Sequence, residues 1–336
     1  MSISVLGAGS WGITLARLLA NKGESVTLWE FDKVTAENLL ATREHLRFLP
    51  GIKIPESVLI TNDFAESVQN ATAVLLAIPS HIIRSVCQQL VPYISDQMVI
   101  INCAKGLETE TQLRLSEVIA QVIPKTYHSQ ITVLSGPSHA EEVSRDIPTT
   151  VVISGFDLGT MQSVQALMFT PRFRVYTNPD LIGVEFGGAL KNIIAIGAGI
   201  SDGLGFGDNT KAALITRGLA EITRLGTKLG ANPSTFSGLT GLGDLVVTCT
   251  SRHSRNRAFG EKIAKNESVQ QALDEIGMVV EGVKTTLAAY ELAQQLKIEI
   301  PITDQIYQVI YQNKTPIQAV SDLMMRDAKP EMERIK

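Results

Sequence analysis

Two polar side chains that could take part in acid–base chemistry, Lys191 and Asn192, lie inside the apolar segment 187–200, GGALKNIIAIGAGI. The other residues of this segment are small or apolar and recur at helical spacing, which predicts a buried helix. Burying a lysine is costly because its charged ammonium loses hydration. Two interpretations stay open at this point. The lysine lies near a helix start and reaches solvent or pairs with a carboxylate, or it is tuned for proton transfer.

A glycine motif near the N-terminus has the spacing that binds phosphate groups. Residues 7–12, GAGSWG, match the pattern G-x-G-x-x-G, with a predicted strand at 3–6, a helix from 11 to about 22 and a second strand at 25–29. This strand–helix–strand setting is typical of dinucleotide-binding proteins. The three motif glycines, Gly7, Gly9 and Gly12, permit a tight turn and let backbone N–H groups at the helix N-terminus approach a pyrophosphate.

Glu30 ends the second predicted strand, 18 residues after Gly12. In dinucleotide-binding folds, an acid at this position hydrogen-bonds the ribose hydroxyls and repels a 2′-phosphate. Glu30 therefore favours NAD over NADP. The alternative is an ordinary exposed acid at the end of a strand.

Predicted strands and helices alternate through the first half of the chain. Further strands are expected at 58–60, 73–78, 98–102, 131–134, 150–153 and 173–176, with helices at 82–90, 112–122 and 158–169. This alternation predicts an α/β fold, a Rossmann-like, doubly wound and mainly parallel sheet with helices on both faces. Ligands of such sheets bind beyond the carboxyl ends of the strands, where Lys105 follows one strand and residues 135–138, SGPS, follow another. Lys105 is either a charged contact of such a site or a surface lysine.

Beyond about residue 180 the alternation stops and long helical patterns take over. Helices are expected at 208–229, 256–265, 282–295, 303–309 and 316–325. The chain is long enough for two domains with substantial cores. We therefore predict a dinucleotide-binding domain over residues 1–182 and an all-helical substrate or catalytic domain over residues 183–336.

Two polar loops are expected to interrupt the C-terminal helices. Residues 238–244, GLTGLGD, are rich in glycine and end in the carboxylate of Asp244. Residues 248–257, TCTSRHSRNR, place three arginines among hydroxyls and an amide before a helix, which favours anion binding. The alternative for this second loop is a solvated basic loop. Together with the buried lysine and the dinucleotide motif, it suggests hydride transfer to a small phosphorylated substrate.

The composition argues against several other classes of protein. Basic residues number 30 and acidic residues 34, a net charge of −4, so no nucleic-acid partner is expected. The three cysteines and five histidines show no metal-ligand spacing, and no metal site is expected. The sequence enters an apolar strand at Ile3, which leaves no room for a cleavable signal peptide. It contains no run of about 18 apolar residues, so no membrane span is expected. We therefore expect a cytoplasmic protein.

With these residues identified, the sequence resembles the bacterial NAD(P)-dependent glycerol-3-phosphate dehydrogenases over essentially its whole length. The matching blocks occur in order: GAGSWG (7–12), PSH (79–81), AKGLE (104–108), SGPS (135–138), GALKN (188–192), GLGDL (241–245), SRN (254–256) and VEG (280–282). The resemblance implies reversible reduction of dihydroxyacetone phosphate to sn-glycerol 3-phosphate with NAD(P)H, which supplies phospholipid synthesis. It also implies a helical domain like that of 6-phosphogluconate dehydrogenase, and a homodimer.

The resemblance further implies roles for individual residues. Lys191 resembles the catalytic acid/base of the family. The implied substrate contacts are Lys105, Gly136, Ser138, Lys191, Asn192, Asp244, Ser254, Arg255 and Asn256. Besides the motif glycines and Glu30, the implied nucleotide contacts are Ser10, Trp11, Phe31, Lys105, Ala140, Arg255, Val279 and Glu281.

Two positions depart from the family pattern. Relatives often carry at the position of Phe31 a basic residue that tolerates a 2′-phosphate, so the run Glu30-Phe31-Asp32 favours NADH over NADPH. His139 lies where relatives often have phenylalanine, and no catalytic role is assigned to it.

Two other classes of protein remain as alternatives. One is another dehydrogenase of the same architecture, such as a 3-hydroxyacid or ketopantoate type, against which residues 254–256 favour a phosphorylated substrate. The other is a non-catalytic NAD-sensing or scaffold protein, which need not keep Lys191, Asn192, Lys105 and Asp244 together.

Overall fold

The computed structural model describes residues 1–265, 268–328 and 330–331. The chain divides into two compact units. One comprises Met1–Lys105 and Arg114–Val184, and the other comprises Gly106–Leu113 and Glu185–Lys336. The last residues of the predicted C-terminal domain, 332–336, lie outside the described part of the chain.

The N-terminal unit is built on one eight-stranded sheet. Its strands are β1 Ser2–Leu6, β2 Ser25–Trp29, β3 Leu59–Thr61, β4 Ala73–Leu76, β5 Val99–Asn102, β6 Ile131–Ser135, β7 Thr149–Gly155 and β8 Phe173–Thr177. They lie in the order β3-β2-β1-β4-β5-β6-β7-β8, and only the pair β6–β7 is antiparallel. The predicted mainly parallel α/β sheet is confirmed, because all eight strands form within two residues of their expected ends.

The helices of this unit are α1 Ser10–Asn21, α2 Lys33–Thr42, α3 Phe64–Val68, α4 Ile83–Leu90, α5 Leu115–Val122, α6 Ala140–Val143 and α7 Leu158–Met168. Three of them, α2, α3 and α6, were not expected from the sequence. Helix α2 buries only Ala36 and Leu39, so it carries little apolar periodicity to reveal it. Its start is fixed by Asp32, whose side chain accepts from the N–H of Thr35 at 2.8 Å.

The helices that follow are α8 Leu181–Gly203, α9 Asp208–Lys228, α10 Asp244–Thr250, α11 Arg255–Ala264, α12 Val269–Ile276, α13 Glu281–Leu296, α14 Pro301–Tyr311 and α15 Pro316–Met324. The division between the two units falls inside α8, between Val184 and Glu185. The expected all-helical C-terminal half is confirmed.

Helix α8 contains the apolar segment 187–200 with Lys191 and Asn192. Within the described residues it is the one helix long and apolar enough to cross a membrane, with a mean hydropathy of 1.4. No such segment was expected from the sequence, because Lys191 and Asn192 interrupt the apolar run. In the folded chain, 94% of the apolar window is buried within the protein, so the apolar surface is that of a core helix.

The prediction of two polar loops, at residues 238–244 and 248–257, is wrong in part. Residues 239–243 form a π-helical turn that leads directly into α10, and α10 extends to Thr250. Only residues 251–254 remain as a turn between α10 and α11. The sequence concealed α10 because it has seven residues and includes the poor helix formers Asp, Val, Thr and Cys.

A buried carboxyl lies between two helices of the C-terminal unit. Glu221 of α9 accepts hydrogen bonds from the N–H groups of Ile302 at 2.6 Å and Thr303 at 3.1 Å, at the start of α14. Burial raises the pKa of Glu221 to about 7, although these hydrogen bonds oppose the shift. The carboxyl thus caps α14 and takes up a proton near neutral pH.

This raised pKa predicts a pH-dependent stability. Between pH 4.5, the ordinary pKa of a glutamate, and a pH of about 7, the carboxyl of Glu221 is protonated in the folded protein and ionised in the unfolded chain. We therefore expect the Glu221 contribution to the free energy of unfolding to fall by on the order of 3 kcal/mol as the pH rises through this range. Urea unfolding at pH 5 and pH 8, compared between the wild type and Glu221→Gln, measures it. An unchanged pH dependence in the variant contradicts the assignment.

Candidate active site

The glycine turn between β1 and α1 is closed on one side and open on the other. Gly7 has a φ of +105°, and a Cβ there would lie 2.7 Å from the carbonyl oxygen of Ala77. A Cβ at Gly12 would lie 1.8 Å from the oxygen of Gly7. At Gly9 a Cβ would meet nothing within 4 Å, and no side chain caps α1 there. The turn therefore offers backbone N–H groups beside open space, which fits a pyrophosphate.

Ser10 and Trp11 are the first two residues of α1, and both are half-buried. Ala140 opens α6 next to this helix, because the hydroxyl of Thr14 in α1 donates to the Ala140 carbonyl oxygen at 3.3 Å. Three of the predicted nucleotide contacts thus lie at or against the start of α1.

Glu30 follows β2 directly and is only 7% exposed. Burial raises the pKa of its carboxyl, while hydrogen bonds from the N–H groups of Asp32, Ala8 and Phe31 act in the opposite direction. The bond from Asp32 spans 3.1 Å. Since Ala8 belongs to the glycine turn, Glu30 links that turn to the end of β2. Phe31, in contrast, is 73% exposed.

Three predicted substrate contacts come together at the ends of β5 and β6. Lys105 Nζ donates to the carbonyl oxygen of Gly136 at 2.9 Å, and Ser138 Oγ donates to the same oxygen at 2.9 Å. Gly136 has a φ of +124°, and a Cβ there would lie 3.1 Å from Cα of Val151. The carboxyl ends of these adjacent parallel strands meet at one sheet edge, as expected for a ligand site.

Lys191 is buried in the C-terminal unit, with 6% of its surface exposed. Its Nζ donates to Asp244 Oδ1 and, at 2.7 Å, to Thr248 Oγ1. Asp244 is 1% exposed, so the carboxylate is as deeply buried as the ammonium. Of the alternatives left open by the sequence, reaching solvent is excluded and pairing with a carboxylate is observed. A buried ion pair with a further hydroxyl partner holds the ammonium in one direction.

Thr248 was missed as a site residue by the sequence analysis. It lies four residues after Asp244 in α10, so both side chains share one helix face. The Thr248 hydroxyl donates its hydrogen to the Asp244 carbonyl oxygen at 2.6 Å. A lone pair of the same hydroxyl therefore accepts the hydrogen bond from Lys191 Nζ. The i, i+4 spacing would have identified Thr248 if α10 had been predicted.

A second buried polar cluster begins at Asn192, next to Lys191 in α8. Asn256 Nδ2 donates to Asn192 Oδ1 at 3.0 Å, and the N–H of Gly282 donates to Asn256 Oδ1 at 2.8 Å. Gly282 follows Glu281, the first residue of α13, and Val279 lies two residues before that helix. The cluster therefore connects predicted substrate contacts to the segment of the predicted nucleotide contacts.

The start of α11 holds the remaining predicted substrate contacts. Ser254 caps the helix, because its Oγ accepts from the N–H of Arg257 at 3.2 Å. Arg255, the first residue of α11, is exposed. Arg257 instead bonds Asp202 at 2.7 Å and Glu261 at 2.7 Å, so it stabilises the fold. The prediction that three arginines form an anion-binding group is therefore wrong for Arg257, which is held in ion pairs within the protein.

In the described part of the chain, no group of three or more His, Cys, Asp and Glu side chains is arranged to hold a metal ion. The chemistry available in the C-terminal unit is a buried ammonium, oriented by a carboxylate and a hydroxyl. That arrangement can donate a proton to an oxygen or receive one from it.

A mainly parallel sheet with a glycine-rich turn after its first strand, followed in the chain by a helical unit with a buried lysine–aspartate pair, fits an NAD(P)-dependent oxidoreductase. The model of the NAD-dependent glycerol-3-phosphate dehydrogenase N-terminus matches residues 2–160, and that of the C-terminus matches residues 180–321. The chain belongs to the NAD-dependent glycerol-3-phosphate dehydrogenase family. This confirms the resemblance, and the two alternative classes are set aside.

Individual relatives agree with this membership. A glycerol-3-phosphate dehydrogenase [NAD(P)+] of Thermoanaerobacter sp. is 52% identical over 335 residues, covering 100% of both chains. Another, from Pelotomaculum thermopropionicum, is 50% identical over 333 residues, 99% of this chain and 95% of the relative. A crystal structure of glycerol-3-phosphate dehydrogenase from Coxiella burnetii superposes with a TM-score of 0.92 at 39% identity, covering 97% of this chain and 99% of that one.

Proposed function

We propose that this protein reduces dihydroxyacetone phosphate to sn-glycerol 3-phosphate with NAD(P)H, reversibly, and supplies glycerol 3-phosphate for phospholipid synthesis. The observation that carries the proposal is the buried contact of Lys191 with Asp244 and Thr248, in a chain of this family. Relatives that are about half identical over the full length are named glycerol-3-phosphate dehydrogenase [NAD(P)+], which supports the proposal.

The dinucleotide supplies the hydride for this reaction. In the proposal it is held by Gly7, Gly9, Ser10, Trp11, Gly12, Glu30, Phe31, Lys105, Ala140, Arg255, Val279 and Glu281. The open side of the glycine turn and the N-terminus of α1 support the placing of its pyrophosphate.

Lys191 is the proposed acid/base. Reduction of the substrate carbonyl leaves an alkoxide oxygen, and the ammonium of Lys191 donates the proton that converts it to a hydroxyl. The neighbouring carboxylate of Asp244 stabilises the ammonium by Coulomb attraction, and the hydroxyl of Thr248 fixes its direction. In the oxidising direction, the neutral amine of Lys191 accepts the proton from the hydroxyl of glycerol 3-phosphate.

The substrate phosphate is proposed to bind at the start of α11. Arg255 supplies a planar fork of donors, and the first turn of the helix supplies backbone N–H groups beside Ser254 and Asn256. Lys105, Gly136 and Ser138 are the proposed substrate contacts of the N-terminal unit, with Lys191, Asn192 and Asp244 in the C-terminal unit. Anchoring the phosphate uses binding energy far from the reacting carbon to orient it.

An absorbance assay at the NADH band tests the proposal. We expect NADH to be consumed when dihydroxyacetone phosphate is added, and NADH to form when glycerol 3-phosphate and NAD are supplied. Ketopantoate and a 3-oxo acid serve as control substrates. If NADH is consumed with a control substrate and not with dihydroxyacetone phosphate, the proposed substrate is wrong.

The proposed cofactor preference follows from Glu30. Its buried carboxylate opposes a 2′-phosphate, because like charges at a poorly solvated contact repel each other. The uncharged Phe31 offers that phosphate no attraction. We expect NADH to be preferred over NADPH by at least ~10-fold in kcat/KM, an energy difference of about 1.4 kcal/mol. Glu30→Ser combined with Phe31→Arg should narrow this gap.

The decisive measurement is kcat/KM with both cofactors for the wild type and the double variant. Lys33 and Arg43 follow the strand closely and could offset the repulsion, so the control is Lys228→Arg, a conservative change at an exposed residue of α9. A wild type that prefers NADPH would show that Glu30 does not face the ribose.

The remaining proposals rest on family membership. Residues 1–182 act as the dinucleotide-binding domain and residues 183–336 as the helical substrate domain. The protein acts in the cytoplasm as a homodimer, and light scattering coupled to size-exclusion chromatography measures the oligomeric state.

A further inference from the structure

The loop between β5 and α5 belongs by its contacts to the C-terminal unit. The chain leaves the N-terminal unit after Lys105, and residues 106–113 group with the helices. Inside this loop, the N–H of Glu108 donates to the carbonyl oxygen of Leu113 at 3.0 Å. The N–H of Gln112 donates to the carbonyl oxygen of Glu108 at 2.8 Å. These two bonds close the loop on itself, so a displacement at Gln112 is passed on to the rest of the loop.

Gln112 has a backbone conformation that few side chains adopt. Its φ is 58°, in the left-handed region where the Cβ of an L-residue lies close to a carbonyl oxygen. Such a conformation persists only where the surrounding contacts determine it. We therefore looked for the contacts that hold this residue.

Both ends of the Gln112 side-chain amide are hydrogen-bonded. Nε2 donates to the carbonyl oxygen of Thr109 at 3.0 Å and to Glu291 Oε2 at 2.8 Å. Oε1 accepts from Gln295 Nε2 at 3.4 Å. The carbonyl oxygen of Thr109 can only accept, so the NH2 group of Gln112 must face it, and this fixes the orientation of the amide.

The partners of this amide lie on one face of α13, because Glu291 and Gln295 are four residues apart in that helix. The bond to Glu291 joins an amide to a carboxylate, and such charge-assisted bonds are stronger than those between neutral groups. The Gln112 side chain therefore fastens the loop to α13.

We propose that Gln112 is a positioning residue, which holds Lys105 in place by fastening residues 106–113 to α13. Lys105 immediately precedes this loop, and its Nζ donates to the carbonyl oxygen of Gly136 at 2.9 Å. Lys105 is a proposed contact of the substrate and of the nucleotide, so a small displacement of its backbone slows the reaction. The inference rests on the proposed function and assigns to Gln112 an action through Lys105.

The kinetic test is Gln112→Glu, which keeps the shape of the side chain and replaces its NH2 group with an oxygen. The introduced carboxylate faces that of Glu291 across the 2.8 Å contact, so the loop is repelled from α13. We expect kcat/KM for dihydroxyacetone phosphate to fall at least ~10-fold, because a displacement of about 1 Å can cost ~100-fold. Adding Glu291→Gln should recover most of this loss, because the amide and the carboxylate then exchange places and bond again.

A double-variant cycle with Lys105 distinguishes positioning from a general structural role. In a Lys105→Ala background, Gln112→Glu should cause little further loss of kcat/KM, because no ammonium is left to misplace. Gln294→Glu adds the same charge to an exposed residue of α13 and should leave kcat/KM unchanged. A wild-type kcat/KM in Gln112→Glu would overturn the proposal. An equal loss with and without Lys105, or a similar loss in Gln294→Glu, would also overturn it.

Thermal unfolding tests the contact without any substrate. Gln112→Glu should lower the Tm, and adding Glu291→Gln should raise it again because the repulsion between two carboxylates is removed. Equal Tm values for Gln112→Glu and for its combination with Glu291→Gln would overturn the inferred contact. If wild type fails to oxidise NADH with dihydroxyacetone phosphate, the proposed function fails, while this comparison still tests the contact of the loop with α13.

Discussion

Replacing Lys191 with alanine is expected to lower kcat for reduction of dihydroxyacetone phosphate by at least ~100-fold, the lower range for general acid–base catalysis. The alkoxide formed at the carbonyl carbon would then lack its proton donor. NADH binding should remain nearly intact, because Lys191 contacts Asp244 and Thr248 and is not one of the proposed nucleotide contacts. Steady-state kinetics with saturating NADH, together with NADH fluorescence titration, measure both effects.

The burial of Asp244 requires a second variant for this experiment. Removing Lys191 alone leaves a carboxylate that is 1% exposed without its ammonium partner, which is strongly destabilising for a buried ion pair. Lys191→Ala combined with Asp244→Asn removes that uncompensated charge and restores folding if stability was the problem. Lys228→Ala, an exposed lysine of α9, is the control. Near-normal turnover in either Lys191 variant, with folding verified by circular dichroism, would rule out Lys191 as the acid/base.

The parts of the fold that were predictable are those with long and regular patterns. Strands β1, β4, β5 and β6 are buried almost throughout, so they appear in the sequence as short apolar runs. Helix α8 was recognisable because 23 residues include few polar side chains. The same contrast singled out Lys191, since a lysine in such a helix requires a buried partner.

The parts that were missed depend on contacts between distant segments. The contact of Lys191 with Asp244, 53 residues away, was expected only from the family resemblance, because the local sequence does not show that these residues meet. Thr248 accepts a hydrogen bond from Lys191 and lies on the same face of α10 as Asp244. It was missed because this segment was expected to be a loop. Arg257 looked like part of an anion-binding loop, yet Asp202, 55 residues earlier in the chain, holds it in an ion pair. Charge pattern alone could not distinguish this arginine from Arg255.

That distinction leads to a prediction for the phosphate site. Arg255→Ala is expected to raise the KM for dihydroxyacetone phosphate by roughly 10- to 150-fold, which corresponds to ~1.5–3 kcal/mol for the loss of a charged hydrogen bond. Arg255 is also a proposed nucleotide contact, so a smaller loss of NADH affinity should accompany the change. Arg255→Lys should recover only part of the affinity, because lysine keeps the charge but lacks the planar fork.

The substrate's phosphate provides the sharpest control for this prediction. Dihydroxyacetone without the phosphate cannot use Arg255, so its kcat/KM should be equally low in the wild type and in Arg255→Ala. Arg252→Ala removes a neighbouring exposed arginine and should leave the KM unchanged. Equal KM values for dihydroxyacetone phosphate in wild type and Arg255→Ala would mean that the phosphate binds elsewhere. A comparable loss for the unphosphorylated substrate would mean that Arg255 acts on the nucleotide or the fold, because a phosphate contact can discriminate only between substrates that differ in the phosphate.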